Sequence, residues 1–437
     1  MTNEKKKPEI RFAGYKDEWT IRKFSDAFDI LSNNTLSRDK LNYKGGSTMN
    51  IHYGDILTVF SEYLDVSKSD LPFISDEEIS EKLKGTVLKD GDIVIADTAE
   101  DETVGKCVEV GNSNGKKVVS GLHTMPCRPK DKFASKYMGY YLNSSRYHDN
   151  LLPLMQGVKV MSLSRTGVQD TDIIVSESYD EQQKIGCFLY SIDELIRNEN
   201  QKYEKLIIMK NSLLVKMFPR NGAKVPEIRF SGFTDDWEQR KFSQVFDGLQ
   251  NNTLSRAELN YENGTVKNVH YGDVLIKFGD CIDASETELP YITDEAKVDK
   301  FKGSFLQDGD VVIADTAEDE TVGKCTEIQG SEGMKLLSGL HTIPCRPKEK
   351  FGAKFLGYYM NSSAYHNQLI PLMQGIKVTS ISKSALQDTE MIIPKSKEEQ
   401  TKIGEYFSNL DNLITLHQHK LDKLQNIKNA CMKKMFV

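Results

Sequence analysis

The chain has 437 residues, 38% of them hydrophobic and 28% charged, with a formal net charge of −7. That length is enough for two to three domains with their own cores, and the composition is ordinary for a soluble globular protein. No apolar run reaches membrane-spanning length, the Lys-rich start at Glu4–Lys7 has no apolar stretch behind it, and the seven cysteines form neither a CxxC pair nor a Cys/His cluster at zinc spacing. No signal peptide, structural metal or disulfide framework is therefore expected, and a reducing, cytoplasmic setting is.

The first informative stretch in chain order is the polar run Asn33, Asn34, Thr35, Ser37 and Arg38. It has no helical or strand period. Its groups suit base edges and phosphates, or equally an Asx-type turn ahead of the next element. Asp55–Phe60 (DILTVF) and Gly91–Asp97 (GDIVIAD) are short β-branched runs led by Gly-Asp turns, and they predict strands. The next residues, Asp97, Glu100, Asp101, Glu102 and Lys106, can be drawn as a metal-binding nuclease set. Adjacent carboxylates on one loop, without a second ligand cluster, fit a solvated turn better, and Thr98 and Lys106 are kept as contact candidates. His123 and Thr124 follow a Ser-Gly pair, where a satisfied structural histidine is about as good a reading as a contact. Lys136–Leu152 predicts a helix whose Tyr137, Tyr140, Tyr141 and Tyr147 face the core. Gln156, Gly157 and Lys159 form a short basic loop in which glycine lets the backbone approach a phosphate.

A long helix follows. Ser178–Glu181 is an S-x-x-E capping box. Ile185, Leu189, Ile192, Ile196, Tyr203, Leu206, Leu213 and Met217 then fall at heptad spacing, interrupted at Glu199 and Lys210. Such a seam predicts a coiled coil, and about 35 residues at about 1.5 Å each make a rod of about 50 Å. Pro219–Ile228 is the linker at which the chain starts again.

It starts again in register. PEIRFAGY at Pro8 returns as PEIRFSGF at Pro226, an offset of 218 residues that every later pair keeps. The seventeen residues Gly91–Cys107 recur at Gly309–Cys325 with one change, Ile93 to Val311. The second set of candidates is Asn251, Asn252, Thr253, Ser255, Arg256, Thr316, Lys324, His341, Thr342, Gln374 and Lys377. The second seam is Ile403, Phe407, Leu410, Ile414, Leu421, Leu424, Cys431 and Met435, with His417 and Lys428 at the interruptions. A period of 218 is far beyond the roughly 20–50 residues of a solenoid unit, so this is a tandem duplication of a domain pair.

Two similar domains and two long helices suit the reading of two sites a fixed distance apart, and duplex DNA is the commonest such ligand. Local charge supports this against the overall balance. Residues 111–170 sum to +6 and residues 329–388 to +4, whereas residues 51–110 and 269–328 each sum to −10.

The order PEIRFSGFTDDWEQRKF, NNTLSR, HYGD, QGIKVTSIS and EEQTKIGEYFSNLDNLI resembles the specificity subunit of type I restriction–modification systems over almost the full chain. The first copy departs slightly, with Asp180–Glu181–Gln182 for Glu-Glu-Gln and Cys187–Phe188–Leu189 for Glu405–Tyr406–Phe407. The resemblance implies an α+β fold: two similar mixed α/β target recognition domains (residues 1–177 and 226–395), joined by two long antiparallel coiled-coil helices (178–218 and 396–437) with a linker at 219–225. It implies an internal pseudo-two-fold, and that each domain reads half of a bipartite double-stranded DNA target across a gap the helices set. It further implies docking of two methyltransferase subunits, completion by restriction–motor subunits, and no catalytic centre, cofactor or membrane association in the chain itself. In agreement, neither a G-x-x-x-x-G-K-[ST] loop nor an Asn/Asp-Pro-Pro-Tyr/Phe segment is present. Because the copies share their candidate loops, a near-palindromic target is expected. Differences at Ser61–Leu64 against Gly279–Ile282, and Asp39–Lys40 against Ala257–Glu258, are places where one base preference can shift. The rival readings are a paired-domain DNA-binding regulator or scaffold without a methyltransferase partner, and an enzyme acting at the acidic loop.

Overall fold

The computed structural model describes residues 6–83, 87–220 and 222–437; Glu4 and Lys5 of the Lys-rich start and Asn221 of the linker lie outside the described residues. Packing divides the chain into two compact units, Met1–Asn200 with His419–Val437, and Gln201–Gln418.

In the first unit a five-stranded sheet runs in the order Phe28–Ile30, Thr124–Pro129, Ile93–Ala96, Cys107–Gly111, Tyr63–Asp65. The run predicted from Gly91–Asp97 is its central strand. Ile93 and Ile95 enter one core with Phe24, Phe28 and Tyr137, while Val94 and Ala96 enter another with Ile51, Val108 and Val118. Period-two alternation with both faces apolar is what a strand between two cores requires. A four-stranded sheet runs in the order Lys117–Ser120, Thr48–Ile51, Phe73–Ile74, Leu41–Asn42. The second unit repeats the five-stranded order with Phe246–Gly248, Thr342–Pro347, Val311–Ala314, Cys325–Gln329 and Cys281–Asp283.

Two local expectations are corrected. Asp55–Phe60 is not a strand: Tyr53–Thr58 is a helix, because the His52 Nδ1 accepts from Gly54 N at 3.1 Å and Arg38 grips Asp55 in the first turn. These partners lie outside the β-branched window and override its propensity. Lys136–Leu152 is broken into helices Tyr137–Asn143 and Ser145–His148. Asn143 spends its side chain on Cys107, with Nδ2 donating to the Cys107 carbonyl at 2.8 Å and Oδ1 accepting from its N–H at 3.0 Å. The four tyrosines do face the core, each at most 1% exposed.

Each long helix has 38 residues, Tyr179–Lys216 and Lys397–Lys434. Only half of the capping box at Ser178–Glu181, and of its repeat at Ser396–Glu399, forms. Ser178 Oγ accepts from Glu181 N, but the Glu181 carboxylate takes a bidentate bond from Arg11 at 2.6 and 2.9 Å instead of returning to the cap. Glu399 does the same with Arg229 at 2.6 and 2.9 Å. The arginine of each PEIRF motif therefore ties the start of its half to the start of the following helix.

Every seam residue is buried or half-buried. In the first unit Ile185, Leu189 and Ile192 share a core with Trp19, Tyr137, Met432, Met435 and Phe436. The seam interruption Lys428 lies inside: its Nζ is 2.6 Å from Glu62 and 2.7 Å from Asp193, and Tyr140 donates to Asp193 at 2.5 Å. Lys420 pairs with Glu199 at 2.9 Å, so numbering rises along one helix as it falls along the other, and the two segments run antiparallel. The second unit repeats this with Lys210 Nζ 2.8 Å from Asp280 and 2.6 Å from Asp411, Tyr358 donating to Asp411 at 2.6 Å, and Phe218 stacked on Phe407 at 5.9 Å. Burial alone lowers the lysine pKa, but the paired carboxylates outweigh it and raise both above the ordinary value. A buried charge cluster of this kind contributes little net stability and fixes register, since any slip strands an unpaired charge.

Candidate nucleic-acid interface

The central strand ends at Ala96, and the backbone of Asp97 just beyond it is held from two sides. Asp97 N donates to His123 O at 3.1 Å, and Leu163 N donates to Asp97 O at 2.9 Å. Thr98 Oγ1 donates to Asp97 Oδ1 at 2.9 Å and lies 3.3 Å from His123 Nδ1. His123 holds φ of +54°, a conformation that L side chains rarely adopt, and its exposed ring meets the Tyr53 ring edge-on at 5.3 Å. The second unit has the same constellation: Thr316 Oγ1 to Asp315 at 2.7 Å and to His341 Nδ1 at 3.3 Å, His341 φ of +54°, and Tyr271 at 5.2 Å.

Beside it projects a hairpin. Gln156 and Ser162 exchange backbone bonds at 3.0 and 2.8 Å, and Met161–Ser162 pairs antiparallel with Thr98–Ala99. Gly157 has φ of +118°, and a Cβ there would strike the Val160 carbonyl, so only glycine closes this turn. Gln156 and Lys159 are exposed on the loop, as are Gln374 and Lys377 on the equivalent one. A groove of about 390 Å³ runs between Tyr53, Thr58, Thr98, Glu100 and Val160. Asn33 borders the same surface: its Nδ2 donates to Gly121 O at 3.1 Å and its Oδ1 accepts from Arg165 at 2.8 Å. Asn251 repeats the bond to Gly339 O at 3.2 Å. Thr35, Ser37, Thr253 and Ser255 are exposed on the run that follows.

The other candidates are turned inward. Asn34 and Asn252 are buried, donating to Asn50 and Ser120 O, and to Asn268 and Ser338 O; their Oδ1 atoms accept from Leu36 N and Leu254 N. They build the Asx turn that was the alternative reading, with no polar atom left for a base. Thr124 and Thr342 are fully buried and bonded to Ser120 and Gly121 O, and to Ser338 and Gly339 O. Lys106 and Lys324 reach under the domain to the carbonyls of Leu57 and Leu275 at 2.9 and 2.8 Å, and burial lowers both pKa values. Arg38 and Arg256 are half-exposed but clamped bidentate on Asp55 and Asp273.

The basic surplus of residues 111–170 does not form one patch. Arg128 pairs with Asp92, Lys130 with Asp29 and Arg146 with Glu9, and Lys132 and Lys136 lie over tyrosine rings. Lys159 and Arg165 are the exposed cations at the hairpin and the Asn33 edge. On the acidic loop, Asp101 accepts from Thr103 N at 2.9 Å and its hydroxyl at 2.5 Å, an Asx turn. Among the described residues no three His, Cys, Asp or Glu groups converge on a metal-sized site. Sequence reasoning missed Tyr53, Ser162 and Arg165. Tyr53 was available as part of the duplicated HYGD, and Arg165 as the one cation replaced by a different cation, Lys383, in the second copy.

The chain thus holds a mixed α/β domain twice, each copy carrying a polar loop surface and closed by segments of two long helices. The chain belongs to the type I restriction modification DNA specificity domain family, whose model matches residues 16–207 and again 234–426. A curated relative is the MjaX type I restriction enzyme specificity subunit of Methanocaldococcus jannaschii, as it is described, at 23% identity over 229 residues. The match takes in 51% of this chain, and the chain spans about half the length, 50%, of that relative. Among solved structures, the S subunit of a type I restriction–modification system from M. genitalium superposes with a TM-score of 0.59 at 13% identity, over 99% of both chains. The HsdS subunit from Thermoanaerobacter tengcongensis gives 0.45 at 15% identity over 97% of this chain and 98% of that one. The M. genitalium likeness concerns the fold. No helix among the described residues is long and apolar enough to cross a membrane.

Proposed function

We propose that the chain is the DNA sequence-recognition subunit of a type I restriction–modification complex, acting in the cytoplasm on a bipartite duplex target. The observation that carries this is the doubled Thr-His-Asp-Tyr surface with its hairpin: one chain presents the same hydrogen-bonding chemistry twice, which suits two related half-sites. The family membership and the relatives named as specificity subunits support the same assignment. Residues 1–177 and 226–395 are the recognition domains of this reading. The helices carry exposed Leu195, Met209, Leu413 and Leu416, positions suited to docking two methyltransferase subunits, with restriction–motor subunits completing the assembly. The chain itself directs the chemistry and does not perform it.

Base-resolution methylation sequencing of the source genome, with and without this gene, tests the proposal. Loss of one interrupted, near-palindromic motif is the expected result. Loss of a motif with unlike halves keeps the function but makes the shared surface a scaffold. No lost motif in a strain expressing an intact methyltransferase partner, together with a chain that purifies alone, overturns the proposal in favour of a regulator or scaffold.

A further inference from the structure

The tip of each hairpin holds an apolar side chain out in water. Val158 is 95% exposed and Ile376 fully so. Neither is loose: the hairpin is closed by the Gln156–Ser162 and Gln374–Ser380 bridges and paired along its edge with Thr98–Ala99 or Thr316–Ala317. The tip glycines Gly157 and Gly375 hold φ of +118° and +120°. The same support recurs in both copies beneath an aliphatic side chain held away from the core. The residue beside it is Lys159 or Lys377, and the ribbon behind it offers Gln156, Ser162 and Thr98 or their counterparts.

We infer that Val158 and Ile376 are apolar base readers, each lying against the C5-methyl group of a thymine in the major groove, with Lys159 or Lys377 on an adjacent phosphate. This rests on the DNA-recognition reading above. The major groove admits a β-ribbon and displays the thymine methyl, a contact that aliphatic side chains make. The exposed apolar surface of each tip is confined to two side chains with a lysine between them, Val158 and Val160 or Ile376 and Val378, less than the contiguous patch of a protein-docking site. Of the two tips only Ile376 carries a side chain of the kind that wedges between base steps, and Val158 at the equivalent place does not. The exchange of Val158 for Ile376 between copies adds one methylene, which contact with a methyl group tolerates.

The test uses the full chain with its methyltransferase partner and duplexes carrying the motif found by methylation sequencing. Thymines are replaced singly by deoxyuridine, which removes only the methyl. The expected result is one position per half-site at which the unaltered complex loses about fourfold in affinity, the worth of about one buried methyl-sized group. The double variant Val158→Ser, Ile376→Ser should bind all these duplexes alike. Half-sites without such a position overturn the inference. So does a double variant that still discriminates, a 2-aminopurine fluorescence rise that depends on Ile376, or loss of methyltransferase co-purification in the double variant. If the unaltered complex shows no preference for the motif at all, the function proposed above fails, and this inference with it.

Discussion

The two units agree at the centre of their loop surfaces and differ at the rim. The Thr98–His123 and Thr316–His341 distances are both 3.3 Å, and the tyrosine rings stand at 5.3 and 5.2 Å. Around them, Arg165 bonds Asn33 in the first unit, whereas the second has Lys383 in that place. Ser37 bonds Asp39 in the first. In the second, Glu258 accepts from Ser255 N at 2.9 Å and pairs with Lys297 at 2.7 Å, and these donors push its pKa down to about 2. The third difference, Ser61–Leu64 against Gly279–Ile282, lies elsewhere: Glu62 and Asp280 ligate the buried lysines, and Tyr63 packs on Tyr190 of the long helix. That divergence belongs to helix packing and not to base preference. On the function proposed above, this comparison predicts half-sites that share their central bases and part company at a flank.

The largest way to break the likeness between units is at the buried lysines. Lys428→Ala leaves Glu62 and Asp193 buried and unpaired and should cost about 3–5 kcal/mol in the first unit alone, with Lys210→Ala doing the same in the second. The chain has two tryptophans, Trp19 and Trp237, one per unit, so denaturant transitions followed by fluorescence in Trp237→Phe and Trp19→Phe backgrounds separate the effects. Equal destabilisation of both transitions by one variant would contradict the assignment.

A second expectation concerns pH. Burial raises the carboxyls of Glu109 and Glu327 to about 7, although each accepts two backbone N–H bonds. A folded pKa above the unfolded one, about 4.3, means that the folded state holds the extra proton between them, so stability falls as pH rises through that window. The penalty is complete above about pH 7 and on the order of 3 kcal/mol per group. Glu109→Gln should flatten the pH dependence of the Trp19 transition and leave that of Trp237 as it was.

At the surface, His123→Ala and His341→Ala should each cost about 1–3 kcal/mol in binding to a cognate duplex, by equal amounts if the centres read the same bases. A competition assay with duplexes altered in one half-site checks the symmetry. The smallest effect sharpens the rim. Arg165→Lys, which converts the first unit toward the second, should change binding by about 0.5–1.5 kcal/mol at one flanking position and leave the central positions unchanged.

Much of this was legible in the residues. The heptad spacing located both helices, because a buried seam imposes its period directly on the sequence. The offset of 218 announced the duplicate fold. What stayed hidden was set by partners distant in sequence. Asp55–Phe60 reads as a strand until His52 and Arg38 are seen to cap it as a helix. Asn34 and Thr124 read as contact groups until Asn50, Ser120 and Gly121 are seen to use them up. Lys210 and Lys428 looked like faults in the seam, since nothing local shows that Asp280 and Glu62 wait opposite. Val158 was overlooked for the opposite reason, as an apolar residue between polar ones is read as inward-facing by default.

The inclusion of His419–Val437 in the first unit has a consequence for biosynthesis. The second unit, Gln201–Gln418, is one continuous run and has its whole sequence once that run has left the ribosome. The first unit, though translated earlier, lacks Lys428, Met432, Met435 and Phe436 until synthesis has passed them. Until then Glu62 and Asp193 have no cation and the aromatic core around Trp19 is short of a ring. The order of translation and the order of completion are inverted in this chain, so a product truncated before residue 419 is left with an unfinished first unit exposed to cellular proteases.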